Sequence, residues 1–119
     1  MSYVDGFVIA INKKNLPAYL KMAKKSSKIW MEHGALQYFE AVGDDLNVKM
    51  GLPFPKLAKV KEDETVLFSW IVYKSKAHRN VVNKKVMKDL RLADLCDADN
   101  MPFEMKRMSY GGFKVMVEA

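Results

Sequence analysis

The chain has 119 residues, half of them hydrophobic and 29% charged, with a formal charge of +6. That length and composition predict a single globular domain spanning residues 1–119. The lone cysteine, Cys96, excludes an intrachain disulfide and fits a reducing compartment. Asp5 stands where a basic leader region would be, and no apolar run approaches the ~20 residues that span a bilayer, so a cytoplasmic location is expected. The positive charge comes from 17 lysines and 3 arginines set against 14 acids. Nucleic-acid readers lean on the planar fork of arginine, whereas scattered lysine mostly solvates a surface. Lysine-driven nucleic-acid binding is therefore the weakest functional reading. The one lysine cluster, Lys21, Lys24, Lys25 and Lys28, falls on a single helical face opposite the apolar residues.

Tyr3 to Ile11 reads as a strand with two apolar faces. Tyr3, Phe7, Ile9 and Ile11 surround Asp5 on one, and Val4, Val8 and Ala10 surround Gly6 on the other. Asn15 is placed to cap a helix whose first turn tolerates Pro17. Leu16, Tyr19, Leu20, Ala23, Ser27, Trp30 and Met31 follow at three- and four-residue intervals, and Gly34 supplies the stop. Ala35 to Gly43 predicts a second strand, with Leu36, Tyr38, Glu40 and Val42 on one face. Residues 46–64 form a long connection with Pro53 and Pro55, in which Phe54, Leu57 and Val60 would give a buried side. Thr65 to Tyr73 is a β-branched and aromatic third strand. Ser75 caps a second helix running from Lys76 to about Leu90, with Val82, Val86, Met87 and Leu90 inward. A weaker segment spans Leu92 to Met101. Met108 to Val117 closes the chain as a strand in which Gly111-Gly112 marks a bulge or a close backbone approach.

The order strand, helix, strand, strand, helix, strand is the split βαβ, or ferredoxin-like, α+β arrangement (βαββαβ). Two helices cover one face of a four-stranded sheet. Because the strands are apolar on both faces, a second copy of the same sheet is the simplest cover for the other, giving a symmetric homodimer.

Tyr3-Val4-Asp5-Gly6-Phe7, Gly34-Ala35-Leu36, Gly43-Asp44-Asp45, Glu64-Thr65-Val66, Phe68-Ser69-Trp70, Ser75-Lys76-Ala77 and Lys85-Val86-Met87 occur in this order. The run Met101-Pro102-Phe103 through Tyr110-Gly111-Gly112-Phe113 then follows. With these blocks the chain resembles the YbaA-like family of uncharacterised bacterial proteins, within the dimeric α/β barrel superfamily. The resemblance implies a ferredoxin-like fold and two copies whose sheets pack into a barrel. It carries no activity of its own. The superfamily includes cofactor-independent monooxygenases, heme-degrading enzymes, dye-decolourising peroxidases, chlorite dismutase-like proteins and lactone isomerases, which points by analogy to small aromatic or heme-type ligands.

Several constellations bear on chemistry. Two histidines and one cysteine lack ligand-like spacing, so no metal is expected, and Asp44-Asp45 reads as a turn. Heme-degrading relatives use a strand tryptophan and a histidine on the second helix. Trp70 and His78 match those types and elements, but the first strand offers Asp5 in place of an asparagine, so no heme or other cofactor is expected. Asp5 and Glu40 lie in apolar strands, and a buried carboxylate requires a partner or a raised pKa. Arg107 and Arg79 are the arginines placed to pair with them, while Tyr110 and Ser69 are placed to orient a polar ligand. A structural partner for Asp5, Arg107 or a backbone amide, would make Asp5→Asn cost about 1–3 kcal/mol. Met101, Met105 and Met108 read as adaptable packing at a dimer seam. The candidate site residues are thus Asp5, Glu40, Trp70, His78, Arg107 and Tyr110. The reading is a homodimer that binds or transforms a small aromatic or hydrophobic molecule between sheet and helices, with a non-enzymatic accessory or interaction dimer as the alternative. The residues name neither a reaction nor a substrate.

Overall fold

A computed structural model describes residues 2–97 and 100–119. The central strand β1 (Tyr3–Asn12) pairs antiparallel with β3 (Glu64–Tyr73) along its whole length and with β4 (Ser109–Lys114) over its first half. β2 (Gln37–Val42) pairs with the far edge of β3, giving the order β2-β3-β1-β4. Helices α1 (Leu16–Glu32), α3 (Lys76–Met87) and α4 (Leu90–Leu95) join these strands, and α2 (Phe54–Leu57) is a single turn in the long connection. This is the ferredoxin-like α+β fold that the strand and helix order predicts. No described helix is long and apolar enough to cross a membrane.

Alternation along the strands divides the sheet into two surfaces. The odd-numbered side chains of β1 and β3 pack on the helices: Ile9, Ile11 and Leu67 meet Tyr19 and Ala23 in one cluster, and Ile71 and Tyr73 meet Ile29, Val82, Val86 and Leu92 in another. The even-numbered side chains form the other face, which is open from Val4 to Val8 and covered at Ala10 and Val66. Register places Val4 between Val72 and Phe113, Gly6 between Trp70 and Gly111, and Val8 between Phe68 and Ser109. Trp70 stacks on Phe39 at 4.8 Å and tilts against Phe68 at 5.3 Å, and the Phe113 ring lies over Gly6.

Several local readings shift. The buried stripe of α1 is Tyr19, Ala23, Ser26 and Ile29, so Leu20 and Met31 face outward. Asn15 occupies the capping position without a side-chain cap and instead donates through Nδ2 to the Pro102 carbonyl at 3.1 Å. The second predicted helix stops at Met87, because Asp89 caps a separate α4 by accepting from the Arg91 amide; Leu90 is consequently 81% exposed. In the weaker segment beyond Leu92, residues 98 and 99 lie outside the described set. Phe54 and Leu57 are also exposed, and the Phe54 ring sits 6.0 Å from Phe68 at the margin of the open face. β4 ends at Lys114, short of Val117. Gly111-Gly112 marks a close approach: a Cβ on Gly112 would collide with Tyr3 and with Arg79 Nη2.

Arg107 ties the turn before β4 to the start of β3. Its Nη1 and Nη2 donate to Glu64 Oε2 and Oε1 at 2.7 and 2.8 Å, and Nη2 also donates to the Lys59 carbonyl at 3.0 Å. Arg107 thus pairs with Glu64 and not with Asp5. The Arg107 hydrogen bonds hold the Glu64 carboxyl down to about 2 from an ordinary 4.5. A depressed folded-state value contributes stability above pH 4.5 that is lost as pH falls toward 2. We expect Glu64→Gln to cost roughly 1–3 kcal/mol at pH 7. The difference from the parent should shrink through that acid window, as read by urea unfolding at stepped pH.

Candidate functional site

Between the odd face of the sheet and the helices lies a cavity of about 400 Å³. Its floor is set by β1 and β3 through Asp5, Phe7, Ile9, Ser69 and Ile71. α1 supplies Tyr19, Met22, Ser26 and Trp30, β2 supplies Tyr38 and Glu40, and α3 supplies Asn83. The segment leading into β4 contributes Phe103, Met101, Met105 and Met108, with Tyr110 at the rim. Strand pairing and helix packing explain the convergence, since Glu40 lies opposite Ser69 and Asp5 opposite Ile71.

The two carboxylates are held differently. Glu40 accepts from two phenols: Tyr19 donates to Oε1 at 2.7 Å and Tyr38 donates to Oε2 at 2.8 Å. Burial, followed by the Glu40 charge, pushes both phenols far above the ordinary tyrosine range. These two phenols therefore act as fixed hydrogen-bond donors. Asp5 is 1% exposed and sits beside Arg79, whose Nε lies 3.6 Å from Oδ1, while Asn83 Nδ2 donates to Oδ2 at a long 3.5 Å. Asn83 is itself oriented by Tyr73, which donates to its Oδ1 at 3.1 Å. Arg79 donates through Nη2 to the Tyr3 hydroxyl at 3.1 Å and stacks over the Tyr3 ring. Asp5 Oδ1 and Arg79 Nε are buried without a completed hydrogen bond among the described residues. Trp30 Nε1, near the Tyr73 hydroxyl, is in the same state.

Of the sequence candidates, Asp5, Glu40 and Tyr110 line this cavity, with Tyr110 stacked on Phe7 at 4.9 Å. Trp70 faces the open side of the sheet. His78 lies outside the cavity at the start of α3, half-buried against Tyr73, where its Nδ1 accepts from the Lys74 amide at 3.0 Å. Trp70 and His78 are therefore on opposite sides of the sheet and cannot grip one ligand. Arg107 borders a separate polar cleft of about 500 Å³ at the end of the sheet, where its charge is met by Glu64 and Glu104. The methionines Met101, Met105 and Met108 line the cavity instead of the open face. Sequence reasoning missed Tyr19 and Asn83 as polar groups of the site and took Tyr38 only as an apolar neighbour of Glu40. For Tyr38 the strand face it shares with Glu40 was the available signal; for Tyr19 and Asn83, on helices, there was none.

The family described as "Protein of unknown function (DUF1428)" matches residues 2–105. The chain is also 40% identical over 118 residues to the uncharacterized protein YbaA of Escherichia coli K12, with 99% of each chain covered. It belongs to the DUF1428 family. Among solved structures, it resembles a variant of SnoaB, a cofactor-independent oxygenase from Streptomyces nogalater, with a TM-score of 0.63 at 7% identity over 98% of this chain and 95% of that one. It also resembles a dimeric ferredoxin-like protein from an uncultured marine organism, with a TM-score of 0.53 at 11% identity over the whole of both chains. At such identities these likenesses establish the fold.

In this DUF1428 chain the Asp5 carboxyl is raised above its ordinary 3.8, because burial penalises its charged form more than Arg79, Asn83 and Tyr73 favour it. The folded state therefore holds that proton more tightly than the unfolded chain, and this contribution to stability declines as pH rises above 3.8 through the raised value. Each unit of displacement is worth about 1.4 kcal/mol. Since Asn resembles the neutral form, Asp5→Asn should melt at or above the parent at pH 7, with the gap closing toward pH 4. This reverses the loss expected from a pair with Arg107. A melt lowered at pH 7, with the loss shrinking as pH falls toward 4 and below, would show that the pair with Arg79 outweighs desolvation.

Proposed function

We propose that the protein is a homodimer formed through the open face of the sheet, and that each protomer binds a small aromatic or hydrophobic molecule in the cavity between sheet and helices. The observation that carries the ligand reading is the cavity itself: an apolar, ring-lined space with a few polar groups converging on it is the usual form of a small-molecule site. Asp5 is the group best suited to move a proton there, since burial raises its pKa toward the range a general base needs. Glu40 and Tyr110 would orient the ligand. The shared fold with a cofactor-independent oxygenase is compatible with a transformation in the cavity as well as binding.

The dimer reading rests on the composition of the open face. From Val4 to Ala10 and across their partners on β3 and β4 it carries no charged side chain, and Phe39, Phe68 and Phe113 are 41%, 44% and 63% exposed. Contiguous aromatic area of this kind marks an interface. We expect light scattering to give twice the monomer mass for the parent and the monomer mass for Phe68→Asp. A parent that stays monomeric at micromolar concentration would remove the dimer.

Ligand binding is tested with the neutral dye N-phenyl-1-naphthylamine. The two tryptophans separate the possible locations, since Trp30 lines the cavity and Trp70 lies on the open face. Dye emission excited through tryptophan should fall sharply in Trp30→Phe and persist in Trp70→Phe. Ala23→Phe, which fills part of the cavity, should weaken binding tenfold or more. Absence of dye binding in a folded parent would favour the accessory or interaction role.

A further inference from the structure

The charge of the cavity differs from that of the protein around it. The molecule carries 20 lysines and arginines, yet among the described residues no lysine, arginine or histidine lines the cavity, whereas the carboxylates of Asp5 and Glu40 do. Asp5 is met by Arg79 from behind. Glu40 faces no cationic side chain among the described residues; its neighbours are the hydroxyls of Tyr19 and Tyr38. A carboxylate has about four acceptor positions on its two oxygens, so one donor on each leaves further lone pairs unused. Rings surround this unneutralised charge. Trp30 lies 6.1 Å from Tyr38, Tyr19 lies 5.8 Å from Phe103, and the stacked pair of Phe7 and Tyr110 closes the opposite side. The negative faces of aromatic rings attract a desolvated cation, and a carboxylate beside them adds directly to that attraction.

Resting on the reading of this cavity as a ligand site, we propose that its ligand is a protonated amine carried on an apolar, aromatic body, with Glu40 as counter-ion. The ammonium group donates to the free positions of the Glu40 carboxylate and rests against the Tyr19, Trp30 and Tyr38 rings. The apolar body extends toward Met87, Met101, Met105 and Met108, whose unbranched thioethers adapt to varied shapes. An anionic ligand would meet Glu40 with no cation in the lining to offset it, so carboxylates and phosphates are rejected. The two phenols act as positioning residues, because they fix the direction in which Glu40 presents its oxygens.

Three ligands of one shape test the proposal by calorimetry on the full chain at pH 7: 4-phenylbutylamine, 4-phenylbutanol and 4-phenylbutyrate. The amine should bind at least about tenfold more tightly than the alcohol, and the butyrate most weakly. In Glu40→Gln the amine should lose about tenfold and the alcohol much less, and retained alcohol binding reports an intact cavity. The ranking in the parent decides even if that variant does not fold. Equal binding of amine and alcohol, or tighter binding of the butyrate, would overturn the amine assignment and leave the cavity reading standing. Binding of none of the three would remove both.

Discussion

The register of β1 against β3 is the constraint on which everything else depends. Ten consecutive pairs, from Tyr3 with Tyr73 to Asn12 with Glu64, fix which side chains face the helices and which face outward. Because successive side chains alternate, a slip of β1 by one residue against β3 would turn Asp5 to the open face and Gly6 to the helix side. The cavity floor would then lose the Asp5 carboxylate, and the open face would gain a charge at its centre. β4 adds a second lock on β1 with Gly112 opposite Asp5, where Tyr3 and Arg79 crowd the space that a side chain would need. The glycine admits Arg79 to the only polar side chain near the middle of the strand. The same backbone pairing thus sets the sheet, the open face and the charge balance of the cavity floor.

Much of this architecture is legible in the residues. Alternation in Tyr3–Ile11 and Thr65–Tyr73 separates the faces correctly, and the order of strands and helices is enough for the ferredoxin-like fold. Where the reading drifts, the cause is local. On α1, Leu20 and Met31 match a hydrophobic stripe as well as Ser26 does, but the helix docks with Ser26 inward. A polar side chain there is tolerated because it borders a cavity and not a packed core. At Lys76–Leu95, a continuous helical pattern hides the break, which depends on Asp89 accepting from the Arg91 amide and on its contacts with His33 and Arg91.

The site was less legible than the fold. Asp5, Glu40 and Tyr110 stand out as polar groups in strands, and the strand faces bring them together. Trp70, His78 and Arg107 stood out as scarce residue types, and scarcity says nothing of which side of a sheet or which end of a helix they occupy. Conversely, Tyr19 and Tyr38 read as core because a buried tyrosine and a ligand-site tyrosine have the same hydrophobic spacing. Only the position of the hydroxyl distinguishes them, and that follows from where α1 crosses β2.

The two carboxylates of the cavity show how similar groups acquire different capacities. Asp5 has an arginine close by but imperfectly engaged, with 3.6 Å between Oδ1 and Arg79 Nε, and burial dominates, so its proton is held more firmly. Glu40 has no cation beside it among the described residues and accepts one short bond from a phenol on each oxygen. In a chain this basic, lysines stay on the solvated outside of α1, while the cavity keeps a half-buried carboxylate among rings with no cation beside it among the described residues. A cationic occupant beside it would return stability on binding.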